Sequence, residues 1–162
     1  ARGKSMASIG LLCKFNNIDF NGTSIDPYFE DGYKEGKDNP ELLFSKQKVA
    51  PIKSEQKTQA ITLWKRLKLN VNLIQTISND GLALLLKKNK TFDIIYIDGL
   101  HEGITPLMDF SYSYNLLDSN GIIIFDDICW PNIHHLRKII DNSPDSFEKI
   151  CENWTLAAYR KI

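Results

Sequence analysis

The 162-residue sequence predicts an α/β domain built on a mainly parallel sheet, and three observations lead there. Strand and helix patterns alternate along most of the chain. Two of the strand patterns, Phe92–Asp98 and Gly121–Phe125, are nearly continuous apolar runs of the kind buried in a core. Each run ends in carboxylates, Asp98 in one and Asp126-Asp127 in the other, and open parallel sheets bind their ligands just outside the carboxyl ends of the strands.

Taken in order, residues 4–15 carry Met6, Ile9, Leu12, Cys13 and Phe15 at helical spacing, which predicts a helix packed on a core. Gly3 and Ser5 stand at its start, where unpaired backbone N–H groups favour an anion. Residues 18–26 read as a short strand that ends at Asp26 and is stopped by Pro27. The stretch 28–58 is irregular, rich in Gly, Lys, Asp, Asn and Glu, and carries Tyr28, Phe29, Tyr33 and Phe44. An insert of that length in a compact domain is either a functional lid or a disordered segment, and the aromatics favour a lid. A helix is expected over Lys57–Leu69, with Ile61, Trp64 and Leu67 on one side, then a strand over Val71–Ile77 and a short helix over Asp80–Lys88. After the Phe92–Asp98 strand come a helix over Ile104–Leu117, the Gly121–Phe125 strand, a helix over 132–141 and a closing strand over Trp154–Tyr159. No repeat or low-complexity tract interrupts this order, so residues 1–162 read as a single domain.

Twenty basic residues balance twenty acidic ones, which argues against a nucleic-acid or anionic-membrane partner. No apolar run approaches the ~20 residues needed to span a bilayer. The three cysteines, Cys13, Cys129 and Cys151, are odd in number and far apart, which suits idle thiols in a reducing, cytoplasmic setting better than disulfides or a zinc site. A homo-oligomer is compatible with this composition.

Asp26 ends a strand about twenty residues after a glycine-containing turn that opens a helix, the position where a carboxylate accepts hydrogen bonds from ribose hydroxyls. The plainer alternative is an Asp in a turn before proline. Gly3-Lys4-Ser5 also admits a reading as the tail of a P-loop, with the strand ending at Asp98 in a Walker-B-like role. Asp98, Asp126 and Asp127 converge on one sheet edge if their strands are neighbours. Their mutual repulsion would be relieved most simply by a cation, and oxygen donors suit Mg²⁺ before Ca²⁺ or Mn²⁺. Alternatively, one caps a helix and another binds a cofactor. His101, three residues past Asp98, has the near-neutral pKa of a general base, against the plainer reading of a solvent-facing loop histidine. Asp109 could orient it or sit at the edge of the core. His134 and His135 open a helix and read as structural or surface groups. A non-catalytic nucleoside-binding domain, with structural carboxylates, is the rival from another class.

Taken together, FDIIYIDGLHEG (92–103), Asp109, LLDSNGIIIFDDI (116–128), TSID (23–26) and LIQTISNDGLALL (73–85) resemble class I S-adenosylmethionine-dependent methyltransferases. The similarity is greatest to the metal-dependent O-methyltransferases of the catechol and macrocin type. The resemblance implies a Rossmann-like, mainly parallel sheet flanked by helices, with S-adenosylmethionine as cofactor and a small-molecule hydroxyl (sugar, polyol or catechol) as methyl acceptor. Carried over, Gly3 and Ser5 would lie at the methionine end of the cofactor, Asp26 at its ribose, and Ser78 and Asn79 near its adenine. Asp98 would border the cofactor and, with Asp126 and Asp127, match the metal-ligand positions for Mg²⁺. His101 would take the place of the general base, a lysine in catechol-type members. Two departures stand out. Asp127 replaces an Asn of the catechol type, and the first strand of the family's sheet has no counterpart after Ala1, so it is expected to precede it.

Overall fold

The computed structural model of the chain describes residues 3–28 and 53–162. Most of the 28–58 insert, including Phe29, Tyr33 and Phe44, lies outside the described residues. The chain divides into two compact units, Ala1–Gly81 and Leu82–Ile162.

In the first unit, α1 (Lys4–Phe15) leads into β1 (Asn21–Ile25), and α2 (Lys53–Arg66) leads into β2 (Asn70–Ile74). The two strands pair in parallel from Asn21 opposite Asn70 to Ile25 opposite Ile74, so both carboxyl ends lie at one edge. Helix α1 approaches β1 through its small residues. A Cβ on Gly22 would come within 2.8 Å of the Met6 sulfur, and one on Gly10 within 3.0 Å of the Phe20 ring. Met6 thus lies beside Gly22 and Gly10 beside Phe20, which runs the helix antiparallel to the strand and sets its first turn at the strand's carboxyl end. Ala7 and Gly10 are the buried residues of this helix, whereas Leu12 and Phe15 are 64% and 86% exposed among the described residues. The expected core face is therefore corrected. Side chains of one and no carbons let the backbone come close, and that close approach outweighed the larger residues' periodicity. Ala60 and Trp64 of α2 complete the cluster with Ala7 and Tyr28, and the Trp64 indole donates to the Gly3 carbonyl at 3.0 Å.

Helix α3 (Ser78–Lys87) runs from the first unit into the second, which continues with β3 (Phe92–Ile97), α4 (Thr105–Leu116), β4 (Leu117–Phe125), α5 (Pro131–Asp141), β5 (Phe147–Glu152) and β6 (Ala157–Lys161). Its sheet has the order β3-β4-β6-β5, with β3 and β4 parallel and the other two pairings antiparallel. Ile95 and Ile97 stand opposite Ile123 and Phe125 on one face. That face, with Tyr159 and Phe147, carries the core onto which Ile133, Leu136 and Ile140 of α5 and Phe110 of α4 pack. The Phe110 ring lies 5.9 Å from those of both Phe125 and Phe147, in the tilted geometry that aromatic pairs favour.

The predicted helices and strands recur with shifted ends, and three differences have clear causes. Leu117 already pairs with Phe92, and a register shift absorbs Asp118–Gly121, where Asn120 takes φ +64°, before the long run of pairing resumes. Strand β5 has no counterpart among the sequence expectations. Of its residues only Phe147 is buried, so its identity comes from the ladder to β6 and from Arg160–Glu148 and Lys149–Glu152 ion pairs rather than from a hydrophobic pattern. The closing strand begins at Ala157, not Trp154, because Asn153 accepts the Thr155 and Leu156 N–H groups and turns the chain there. The three cysteines are free thiols, with Cys129 and Cys151 exposed. Among the described residues no helix is long and apolar enough to cross a membrane.

Ile123, fully buried in the central strand β4, tests this core. Ile123→Ala should cost about 2–5 kcal/mol in a denaturant melt and Ile123→Val only about 0.5–1.5.

Candidate active site

The second unit brings its acidic strand ends together through the β3–β4 ladder. Ile97 and Phe125 are paired in register, and the Asp126 N–H continues the ladder to the Ile97 carbonyl at 3.0 Å. Asp98 and Asp126 therefore leave adjacent parallel strands at the same level, as the sequence pattern requires. The chain then departs from the strand direction, because Asp127 adopts φ +50°, a left-handed conformation that Asp tolerates better than most residues. Its carbonyl accepts the Trp130 N–H at 3.0 Å, closing a turn into α5.

The result is a group of three. One ligand atom each from Asp98, His101 and Asp127 lies within 4.8 Å of the others. Donors on one ion at about 2.0–2.3 Å stand within about 4.6 Å of one another, so the group has nearly the dimensions of one coordination sphere. Two carboxylates and an imidazole could hold a divalent cation. The His101 Nε2 is 3.6 Å from Asp127 Oδ2.

His101 is 5% exposed, against the expectation open for a solvent-facing loop residue. Its ring stacks on Trp130 with centroids 5.0 Å apart, and Asn132 donates to its carbonyl at 3.1 Å. Both partners belong to the start of α5, so that helix holds the histidine. Beneath the same loop, Asp109 of α4 is 3% exposed, and a Cβ on Gly99 would meet its Oδ2 at 2.7 Å. A larger residue at the glycine of the Asp-Gly-x-His sequence would thus have to displace a buried carboxylate.

Asp126 is held differently from its neighbours. Its Oδ2 accepts the Tyr96 hydroxyl at 2.5 Å and its Oδ1 the Asp127 N–H at 2.9 Å. Asp98 has its pKa pushed up to about 6, first by burial and then by the negative charges of Asp126 and Asp127. The Asp98 side chain still meets solvent, so water screens part of this effect.

In the first unit, Asp26 follows the carboxyl end of β1, Ser78 and Asn79 open α3 after the parallel strand β2, and Gly3 and Ser5 open α1 at the same edge. Asp26 Oδ1 accepts the Tyr28 N–H at 2.8 Å, which is the plain turn role. Burial and the Asp26 charge push the Tyr28 phenol up to about 12. Gly3 takes φ +69°, and a Cβ there would meet the Trp64 indole at 2.8 Å, so a glycine is needed at this helix start on both counts. His134 and His135 lie outside the acidic group. Sequence reasoning missed Tyr96, Trp130 and Asn132. Tyr96 pairs with Ile124 and so stands diagonal to Asp126 on the same face, a placement that only the strand register reveals.

A family profile described as a methyltransferase domain matches residues 1–128. No curated protein sequence matches the chain. Among solved structures, the O-methyltransferase from Bacillus cereus in complex with SAH is similar at 18% identity and a TM-score of 0.54, over 66% of this chain and 59% of that one. The O-methyltransferase NovP is similar at 17% identity and a TM-score of 0.69, over 99% of this chain and 68% of that one. CalS11, a calicheamicin methyltransferase, is similar at 11% identity and a TM-score of 0.64, over 98% of this chain and 68% of that one. The chain spans 59% to 68% of the length of these three proteins, and what it shares with them is the Rossmann-like fold of a sheet flanked by helices.

A raised carboxyl pKa favours the folded state only while the proton is bound. Asp98 should therefore stabilise the cation-free protein below about pH 4, and this contribution should fade as pH rises through about 6. Thermal melts between pH 4 and 7 should show a fall that Asp98→Asn flattens. An unchanged slope in that variant would assign the fall to other groups.

Proposed function

Because the chain belongs to the methyltransferase-domain family, we propose that it transfers the methyl group of S-adenosylmethionine to a hydroxyl oxygen of a small molecule, a sugar, polyol or catechol. The observation that carries the choice of oxygen chemistry is the meeting of Asp98, His101 and Asp127 at the carboxyl ends of two parallel strands. The description of the similar solved proteins as O-methyltransferases supports the same reading.

Gly3 and Ser5 would bind the methionine end of the cofactor through the N–H groups that open α1, Asp26 its ribose, and Ser78 and Asn79 its adenine, with Asp98 at its border. When bound, S-adenosylmethionine supplies an electrophilic methyl group. The acidic edge of Asp98, Asp126 and Asp127 would bind a divalent cation, Mg²⁺ first among candidates, which lowers the pKa of an acceptor hydroxyl. With the cation on the carboxylates and not on the imidazole, His101 would accept the hydroxyl proton as general base. Its burial against Trp130 keeps that ring in one orientation, which removes entropy from the step. The three free thiols fit a cytoplasmic protein.

S-adenosylhomocysteine at 100 times its Kd should stabilise the protein by about 2.7 kcal/mol, seen as a clear rise in Tm, while ATP should leave Tm unchanged. A shift with ATP alone would instead favour the P-loop reading of Gly3-Lys4-Ser5. Methyl transfer from labelled cofactor to a panel of sugars, polyols and catechols should vanish in EDTA and return with Mg²⁺; full turnover in EDTA would remove the cation. His101→Ala should lower kcat by about 10²- to 10⁴-fold with cofactor affinity unchanged, and wild-type turnover would remove it as base.

A further inference from the structure

Tyr96 lies inside β3, two residues before Asp98, and belongs to none of the roles above. Its hydroxyl donates to Asp126 at 2.5 Å, the length of a strong, charge-assisted bond to a carboxylate. The other oxygen of Asp126 accepts the N–H of Asp127 at 2.9 Å. Asp127 is the residue in the left-handed conformation, and its carboxylate joins that of Asp98 and the imidazole of His101 in the compact group. A chain of contacts therefore runs from a rigid strand, through a carboxylate held at both oxygens, to the backbone of the residue that completes the group.

We propose that Tyr96 is a positioning residue for the cation edge: its bond clamps the Asp126 carboxylate and, through Asp126, holds Asp127 in place for cation binding. The inference rests on the reading of this edge as a cation site. Both oxygens of Asp126 already receive hydrogen-bond donors, which withdraws electron density from them and fixes the plane of the carboxylate. A left-handed Asp is about 1–3 kcal/mol above its favoured conformations and persists only when its surroundings hold it. The Asp126 Oδ1 bond does so on the N–H side of Asp127, as the Trp130 N–H does on its carbonyl side. Tyr96 supplies the other end of the clamp. Without its hydroxyl, Asp126 can rotate and release the Asp127 N–H.

The test is a double-mutant cycle with Tyr96→Phe and Asp126→Asn in the whole chain, read by Mn²⁺ binding in electron paramagnetic resonance and by S-adenosylhomocysteine affinity in calorimetry. Partners that orient metal ligands typically change metal affinity 10–100-fold, so each single variant should weaken Mn²⁺ binding by at least about 10-fold. The double variant should bind no worse than the weaker single one, because both substitutions break one device. S-adenosylhomocysteine affinity should stay within about twofold, which separates positioning from a general loss of structure. Losses that multiply in the double variant, wild-type binding by Tyr96→Phe, or a parallel loss of S-adenosylhomocysteine affinity would each overturn the clamp. If Asp126→Asn does not fold, Asp126→Glu completes the cycle, since one added methylene misplaces both oxygens while keeping the charge. Absence of Mn²⁺ binding in the unaltered protein would remove the cation reading and the clamp together, whereas binding with independent losses removes the clamp alone.

Discussion

The arrangement of the acidic edge depends on one constraint, the register of the parallel β3–β4 pair. Side chains alternate between faces and successive residues advance about 3.3 Å, so a slip of a single residue would turn Asp126 to the other face. Ile95 opposite Ile123 and Ile97 opposite Phe125 prevent that slip by burying one face against α4 and α5. The last rung, from the Asp126 N–H to the Ile97 carbonyl, lies immediately beside the carboxylates. Core packing and site geometry are thus two consequences of the same pairing. A substitution that loosens the core beneath Phe125 acts on the site as well.

Register brings the negative charges together, and the local structure then treats them unequally. Asp126 is held by a phenol and an amide, Asp127 lies near an imidazole, and Asp98 meets the repulsion of both. This division gives the edge its polarity. The group with the most to gain from positive charge is the one at the end of β3, next to the loop that carries His101. That loop is itself packed between Trp130 above the imidazole and Asp109 against Gly99. A buried histidine with both its ring and its carbonyl held is placed with far less freedom than an ordinary loop residue.

Much of this was legible in the sequence, and the part that was not has specific causes. The strands ending in Asp98 and Asp126-Asp127 were plain, because buried parallel strands are apolar and polar residues mark where they leave the core. The helix at 4–15 was legible as a helix but not in its orientation, since Leu12 and Phe15 look like core residues and Ala7 and Gly10 do not. Close backbone packing favours the smallest side chains, which hydrophobic periodicity undervalues. Strand β5 left little trace, because an edge strand is held by backbone bonds that any sequence can make. His101 looked like a loop residue because its burial comes from Trp130 and Asn132, some thirty positions away.

The sequence by itself determined the alternation of strands and helices, the carboxylates at two strand ends, the histidine three residues beyond one of them, and the family resemblance that these carry. Those features are local, written in residues next to one another along the chain. The tertiary structure decided which of the carboxylates meet. It placed Asp98, His101 and Asp127 in one group and gave Asp126 to Tyr96, a choice set by strand register, by the direction of side chains on a pleated face and by one left-handed backbone angle. None of these is a property of a short stretch of sequence, since each arises from packing between segments far apart in the chain.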